Sequence, residues 1–112
     1  MMELVYKGTV IVRGPSIADN FWDRLLGYMF RSMPHTPGIL FEPAISIHTF
    51  FMHFSLDVVF MDQNFRVLKI YRNLPPWRHT GFFFRSRKTL EVPAGVLPLE
   101  VKEGDILEVR HV

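Results

Sequence analysis

The feature that most constrains the fold of this chain is a β-forming run at residues 47–62 that also carries reactive side chains. In an extended strand, successive side chains point to opposite faces. One face is then an apolar stripe with one imidazole in it: His48, Phe50, Met52, Phe54, Leu56, Val58 and Phe60. The other face carries Thr49, His53, Ser55 and Asp57. Because burying an imidazole or a carboxylate without a partner costs free energy, these polar residues predict hydrogen-bond partners or a functional task.

Composition predicts one folded domain spanning residues 1–112. The 112 residues are 48% hydrophobic and 14% aromatic, and eleven of them are Phe. This is enough apolar surface for one core without a metal or a disulfide. The lack of Cys excludes disulfides, thiolate metal sites and cysteine nucleophiles. A formal net charge of +2 permits nucleic-acid or anion binding without requiring it.

The N-terminal region predicts a soluble protein. Residues 1–7 lack the basic region and long apolar run of a signal peptide. His48, His53 and Asp57 interrupt the longest apolar stretch, which falls short of the ~20 residues that span a bilayer. Together with the absence of Cys, this pattern is typical of a cytoplasmic protein without a membrane partner.

The pattern of the whole chain predicts an α+β fold in which β-structure dominates. Six to eight short strands are expected to form a compact small sheet or a partly closed barrel. The predicted strands cover residues 3–13, 38–41, 46–54, 56–61, 65–71, 82–84, 89–92 and 106–111. One N-terminal helix is expected to begin near Ser16, where Asp19 completes a capping box, and to end near Gly27. Its helical spacing comes from Ile17, Phe21, Leu25 and Tyr28.

Short motifs occur in a fixed order along the chain. They are Arg24-x-x-Gly27-Tyr28-Met29-Phe30-Arg31, Gly38-Ile39-Leu40-Phe41, Ile47-His48-Thr49-x-x-Met52, residues 56–62, Leu90-Glu91-Val92-Pro93-Ala94-Gly95 and Gly104-Asp105. In this order they resemble the domain-of-unknown-function family 192, a group of small, mostly stand-alone bacterial and archaeal proteins. The resemblance implies a β-rich single-domain fold with one N-terminal helix, and it implies no established reaction, substrate or cofactor.

The chain departs from that family's usual pattern at three neighbouring positions. Family members often have Gly or Trp in place of Phe51, a basic residue or Asn in place of His53, and Pro in place of Ser55. If a basic group at this point binds an anion, His53 serves that role only when it is protonated.

Each candidate site residue has a structural and a functional interpretation. For His48, a core imidazole bonded to backbone is favoured over a ligand-binding or acid–base group. Asp57 is expected to accept hydrogen bonds from backbone or from an arginine, with Arg31 among the candidates. Trp77 either covers the open end of the core or contacts a ligand. Glu91 is expected on a solvated face, because strand alternation places it opposite its apolar neighbours.

Three functional hypotheses follow from these residues. The leading one is a small-ligand-binding domain whose site is lined by His48, Asp57, Arg31 and Trp77. The second is a nucleic-acid-binding module that uses Arg85, Arg87 and Lys88 beside the phenylalanines at 82–84, against the alternative of a charged edge strand. The third is an enzyme in which Asp57 orients His48 as the acid–base group. No cofactor is predicted, and no metal, because His48 and His53 point to opposite faces and lack further ligands nearby.

Overall fold

The computed structural model describes residues 1–20 and 26–112, and the regular elements of these residues are eight β-strands. The strands are β1 (Met2–Tyr6), β2 (Thr9–Arg13), β3 (Ser16–Ala18), β4 (Ile39–Phe41), β5 (Leu56–Met61), β6 (Val67–Leu74), β7 (Lys88–Pro93) and β8 (Glu108–His111). An antiparallel sheet has the order β2-β1-β8, and a five-stranded sheet has the order β3-β4-β7-β5-β6. In the larger sheet β3 and β4 are parallel and the other pairs are antiparallel. The prediction of a β-dominant fold is confirmed.

Both faces of the five-stranded sheet are covered, so its central strands are apolar at nearly every position. All six residues of β5 are buried. One face packs against the three-stranded sheet in a core that includes Leu4, Val12, Leu40, Val59, Leu90 and Val92. The other face packs against loops in a second core that includes Tyr28, Phe41, Ile47, Met52, Val58 and Phe60. A strand covered on both sides is expected to be apolar along its whole length rather than to alternate.

Two predictions about the architecture are wrong. The sheets do not close into a barrel, because β3 and β6 remain the edges of the five-stranded sheet within the described residues. A helix does not begin at Ser16, because Ser16–Ala18 pairs in parallel with β4 and the Ser16 amide donates to the Gly38 carbonyl at 2.9 Å. Tertiary strand pairing here outweighs the local capping pattern. The middle of the predicted helix, with Phe21 and Leu25, lies outside the described residues.

The strand predicted at residues 46–54 is not among the strands of the structure, whereas the strand predicted at residues 56–61 is β5. The Met52 amide donates to the Thr49 carbonyl at 3.3 Å, and Phe51 has a φ of 62°, so the chain turns before β5. The predicted apolar stripe is therefore divided: Phe60 is fully buried, whereas Phe50 is 37% exposed. The basic stretch is also not an edge strand, because Lys88 begins β7 at the centre of the sheet.

Phe60→Ala should lower the free energy of unfolding by about 3–5 kcal/mol, because it removes a fully buried ring. That ring lies 4.7 Å from the ring of Phe83, centroid to centroid. Phe50→Ala removes a partly exposed ring of equal size and should cost less than about 1 kcal/mol. Urea unfolding of both variants measures the difference. Equal losses would contradict the burial of the two rings.

Candidate functional site

A small cavity lies on the loop-covered face of the five-stranded sheet, and Glu91 is its buried carboxyl group. Its volume is about 50 Å³, and we call it the Glu91 cavity. Its lining consists of Leu26, Gly27, Tyr28, Met29, Phe41, Ser46, Ile47, His48, Met52 and Glu91. The sheet register pairs Glu91 with Ile39 on β4 and with Val58 on β5. Glu91 is only 3% exposed, so its predicted solvated position is wrong, because loops cover the face that alternation assigned to water.

The three titratable groups that line the cavity among the described residues are uncharged near neutral pH. Burial raises the pKa of Glu91 from 4.5 to about 8, so its carboxyl is protonated. Burial, followed by the nearby Glu91, raises the pKa of Tyr28, whose hydroxyl donates to the Thr36 carbonyl at 2.9 Å. Desolvation lowers the pKa of His48, so its imidazole is neutral. Perturbed groups gathered in a cavity are characteristic of functional sites.

Four exposed aromatic side chains lie beside the cavity-lining segments, and we call them the aromatic rim: Phe30, Phe50, Phe51 and Trp77. The Phe51 ring lies 5.2 Å from Phe30 and 4.8 Å from Trp77, centroid to centroid. Phe50 stacks on His48 at 5.2 Å and lies 6.0 Å from Trp77. The rim is therefore a continuous aromatic surface that begins at a residue of the cavity. Contiguous exposed apolar surfaces of this kind mark binding sites.

Three rim residues have left-handed backbone conformations. The φ angles of Phe30, Phe51 and Trp77 are 61°, 62° and 64°. For bulky side chains this conformation costs on the order of 1–3 kcal/mol each and is concentrated at functional sites. The Phe30 amide donates to the Phe51 carbonyl at 2.9 Å, which links two of the strained residues directly. Sequence reasoning missed this feature because no glycine or asparagine marks it.

Two buried threonines tie the Trp77 loop to the segment that carries His48. The Thr49 hydroxyl donates to the Pro75 carbonyl at 2.7 Å and accepts from the Arg78 amide at 2.9 Å. The Thr80 hydroxyl accepts from the Ile47 amide at 2.9 Å. The Trp77 amide also donates to the Thr49 carbonyl at 3.0 Å. These bonds hold the Trp77 loop of the rim against the segment that carries His48.

The structure divides the four predicted ligand-binding residues among different places. His48 and Trp77 lie together, joined through Phe50. Arg31 is exposed and lines a neighbouring groove of about 420 Å³, which shares Leu26 and Gly27 with the Glu91 cavity. Asp57 lines neither of these two spaces.

Asp57 lies on the opposite face of the sheet, where it binds backbone. Its oxygens accept hydrogen bonds from the amides of Asn73, Gly95 and Leu97 at 2.9, 3.0 and 3.3 Å. This agrees with the structural interpretation of Asp57, with amides rather than an arginine as donors. The His48 Nδ1 atom instead accepts from the Phe50 amide at 3.2 Å. The His48–Asp57 pair that the enzyme hypothesis requires is therefore not formed.

The three basic residues of the nucleic-acid hypothesis differ in whether their charged groups already bind other groups of the protein. Lys88 forms a salt bridge with Glu42 at 2.9 Å. The Arg87 guanidinium donates to the carbonyls of Phe84 and Ser86, each at 3.2 Å. Arg85 is exposed, and it lines a groove of about 260 Å³ together with Arg87.

The described residues contain neither a cluster of metal ligands nor a membrane-spanning helix. In residues 1–20 and 26–112, no group of three or more His, Cys, Asp or Glu residues is arranged to hold a metal ion. No helix in the same residues is long and apolar enough to cross a membrane.

Fold and site together define a class of small β-protein in which two open sheets share one core and loops enclose a buried glutamate. The chain belongs to the domain-of-unknown-function family 192, described as "Uncharacterized ACR", whose model matches residues 9–109. The UPF0127 protein of Pyrococcus horikoshii is 41% identical over 85 residues, which cover 71% of this chain and 72% of that protein. The UPF0127 protein of Pyrococcus furiosus is 36% identical over 110 residues, which cover 93% of each chain.

Two solved structures share the fold. A protein of unknown function from Novosphingobium aromaticivorans has a TM-score of 0.75 at 23% identity, covering 96% of this chain and 82% of that one. A protein from Sinorhizobium meliloti described as a candidate transcription regulator has a TM-score of 0.74 at 21% identity, covering 96% and 91%. At these identities the likeness shows the fold alone.

Asp57→Ala should lower the free energy of unfolding by more than about 2 kcal/mol, because it leaves buried backbone amides without an acceptor. Asp62→Ala is the matched control: its carboxylate accepts from the amides of Asn64 and Arg66 in an exposed turn, where water can replace it. Urea midpoints of the two variants measure the contrast. An Asp57→Ala protein as stable as the wild type would show that this carboxylate is not structural.

The free energy of unfolding of the wild type should fall as the pH rises, and Glu91→Gln should abolish that fall. The folded chain keeps a proton that the unfolded chain loses above its ordinary pKa of 4.5, so this contribution is complete below that pH and is lost up to about pH 8. The loss is at most about 1.4 kcal/mol per pH unit. Urea unfolding from pH 5 to pH 8 measures it. Glu103→Gln, at an exposed carboxylate, should follow the wild type. Parallel curves for Glu91→Gln and wild type would show that Glu91 is ionised throughout.

Proposed function

We propose that this protein is a small-ligand-binding domain and that its site is the Glu91 cavity together with the aromatic rim. The observation that carries the proposal is a fully buried carboxyl group in a cavity bordered by strained, exposed aromatic residues. Glutamate is among the residues least often buried completely unless it has a partner or a task. Binding pockets combine apolar walls with a few convergent polar groups, and this cavity has that composition.

The cavity residues have different roles in this proposal. Glu91 bonds the polar group of the ligand at the floor of the cavity. His48 stands at the edge, and because its Nδ1 accepts from a backbone amide, its neutral ring carries the proton on Nε2. Phe51 and Trp77 cover the apolar part of the ligand. Arg31 lies in the adjoining groove, and Asp57 supports the loop that follows β7 without contacting the ligand.

A second candidate function is the binding of single-stranded nucleic acid at a different surface. Phe82 and Phe84 are exposed, and their rings are nearly parallel, with an interplanar angle of 15° and centroids 6.2 Å apart. Arg85 and Arg87 follow in the chain. Exposed aromatic rings beside cations bind single strands by stacking and phosphate contact. Lys88 contributes less than the sequence indicates, because Glu42 already neutralises it.

A fragment panel read by thermal shift should identify ligands that stabilise the folded protein. A ligand present at 100 times its Kd stabilises by about 2.7 kcal/mol. Trp77→Ala should weaken such a ligand at least tenfold, because it removes rim surface, and Phe84→Ala should have no effect. A single-stranded oligonucleotide in the same panel tests the second candidate. Salt-dependent oligonucleotide binding that Phe84→Ala and Arg85→Ala weaken, with no fragment sensitive to Trp77→Ala, would overturn the proposed site in favour of the second surface.

A further inference from the structure

The Glu91 cavity places a carboxyl group among mostly aromatic and aliphatic side chains. Among the described residues, the polar lining residues apart from Glu91 are Tyr28, Ser46 and His48, and none is Lys or Arg. In its carboxylate form Glu91 accepts hydrogen bonds, so a ligand group that donates hydrogen bonds is the one that pairs with it. At about 50 Å³, the cavity takes a compact head group such as an ammonium rather than a bulky quaternary one.

The aromatic residues around the cavity favour a positive charge. Tyr28 and Phe41 line the cavity, and the four rings of the rim lie beside it. The faces of aromatic rings attract cations, and the attraction grows when the cation leaves water. A buried carboxyl and several aromatic rings around one small space therefore favour the same kind of ligand.

We infer that the ligand of the Glu91 cavity is a small primary amine in its ammonium form, whose apolar tail lies against the aromatic rim. This inference rests on the proposed function and adds the class of ligand. An ammonium ion gives up to three hydrogen bonds, to Glu91 and to its neighbours in the cavity. Among the described residues, the cation that an anion would meet is Arg31, which lies in the adjoining groove rather than in the cavity lining.

Binding of an ammonium ion must release a proton. Burial raises the pKa of Glu91 to about 8, so in the free protein its carboxyl is protonated at pH 7. The ammonium ion enters with its charge, the carboxyl O–H bond breaks, the proton passes to solvent, and a carboxylate–ammonium pair remains. Loss of either ion would leave the other buried without a partner, so the two ions retain each other in the cavity.

The other titratable groups near Glu91 are compatible with this exchange. On the described part of the cavity lining they are Tyr28 and His48, which are both neutral at pH 7. On β4 and β5 the residues paired with Glu91 are the apolar Ile39 and Val58. In the adjoining groove they are Arg31 and His35, and desolvation followed by Arg31 lowers the pKa of His35. Arg31 is exposed, so water screens its charge from the cavity.

Titration with benzylammonium tests the inference on the intact chain. Amide shifts of Gly27 and His48 in ¹H–¹⁵N spectra report binding at the cavity. Between pH 6 and pH 7.5 the affinity should rise about tenfold per pH unit, because one proton leaves on binding. Calorimetry in two buffers of different ionisation enthalpy should count a release close to one proton. Benzyl alcohol and benzoate, the neutral and anionic analogues, should bind at least tenfold more weakly.

Glu91→Gln should lower the affinity for benzylammonium at least tenfold and remove its pH dependence, whereas Glu103→Gln should change neither. If the Glu91 variant does not fold, proton release in the wild type decides alone, and a release near zero overturns the inference. Benzyl alcohol or benzoate binding at the cavity as tightly as benzylammonium would overturn the ammonium assignment and leave the ligand-binding function standing. A cavity whose amides respond to none of the three and to no fragment of the panel would overturn both.

Discussion

β7 lies between β4 and β5 at the centre of the five-stranded sheet, and its side chains point alternately to the two faces of that sheet. Leu90 and Val92 pack in the core shared with the three-stranded sheet, while Glu91 points into the core that loops cover. Burial of both faces of this one strand forces a carboxyl group into an apolar environment. The raised pKa of Glu91 and the neutral state of the cavity follow from that burial.

The loops that cover the second face are held by specific hydrogen bonds. Thr49 and Thr80 bind backbone across the two loops, and these bonds offset the strain stored in Phe51 and Trp77. The result is a preorganised surface that exposes aromatic rings which would otherwise be buried. Preorganisation reduces the entropy that the loops of the protein lose when a ligand binds, so the strain and the exposed rings have a common explanation in the proposed site.

The opposite face shows how a reactive residue type serves structure alone. Asp57 accepts from the amides of Gly95 and Leu97, while the Arg72 guanidinium donates to four carbonyls, those of Leu97, Pro98, Leu99 and Val101. Asp57 thus satisfies backbone amides of this loop, and the half-buried Arg72 satisfies backbone carbonyls of the same loop. Charge-assisted bonds of this kind are stronger than neutral ones, which suits a loop without regular secondary structure.

The sequence by itself determined the β-dominant class, the position of β5 and the family, because these depend on local apolar patterns and ordered motifs. It also brought His48 and Trp77 into one hypothesis. The tertiary structure decided the rest. Whether Ser16 began a helix or a strand depended on pairing with β4, and whether Glu91 met water depended on loops about 40 to 65 residues away in the chain. Alternation along a strand tells which side chains share a face, but only the packing of distant segments decides which face is buried. That packing placed Asp57 against the backbone of a loop and Glu91 in a loop-covered cavity.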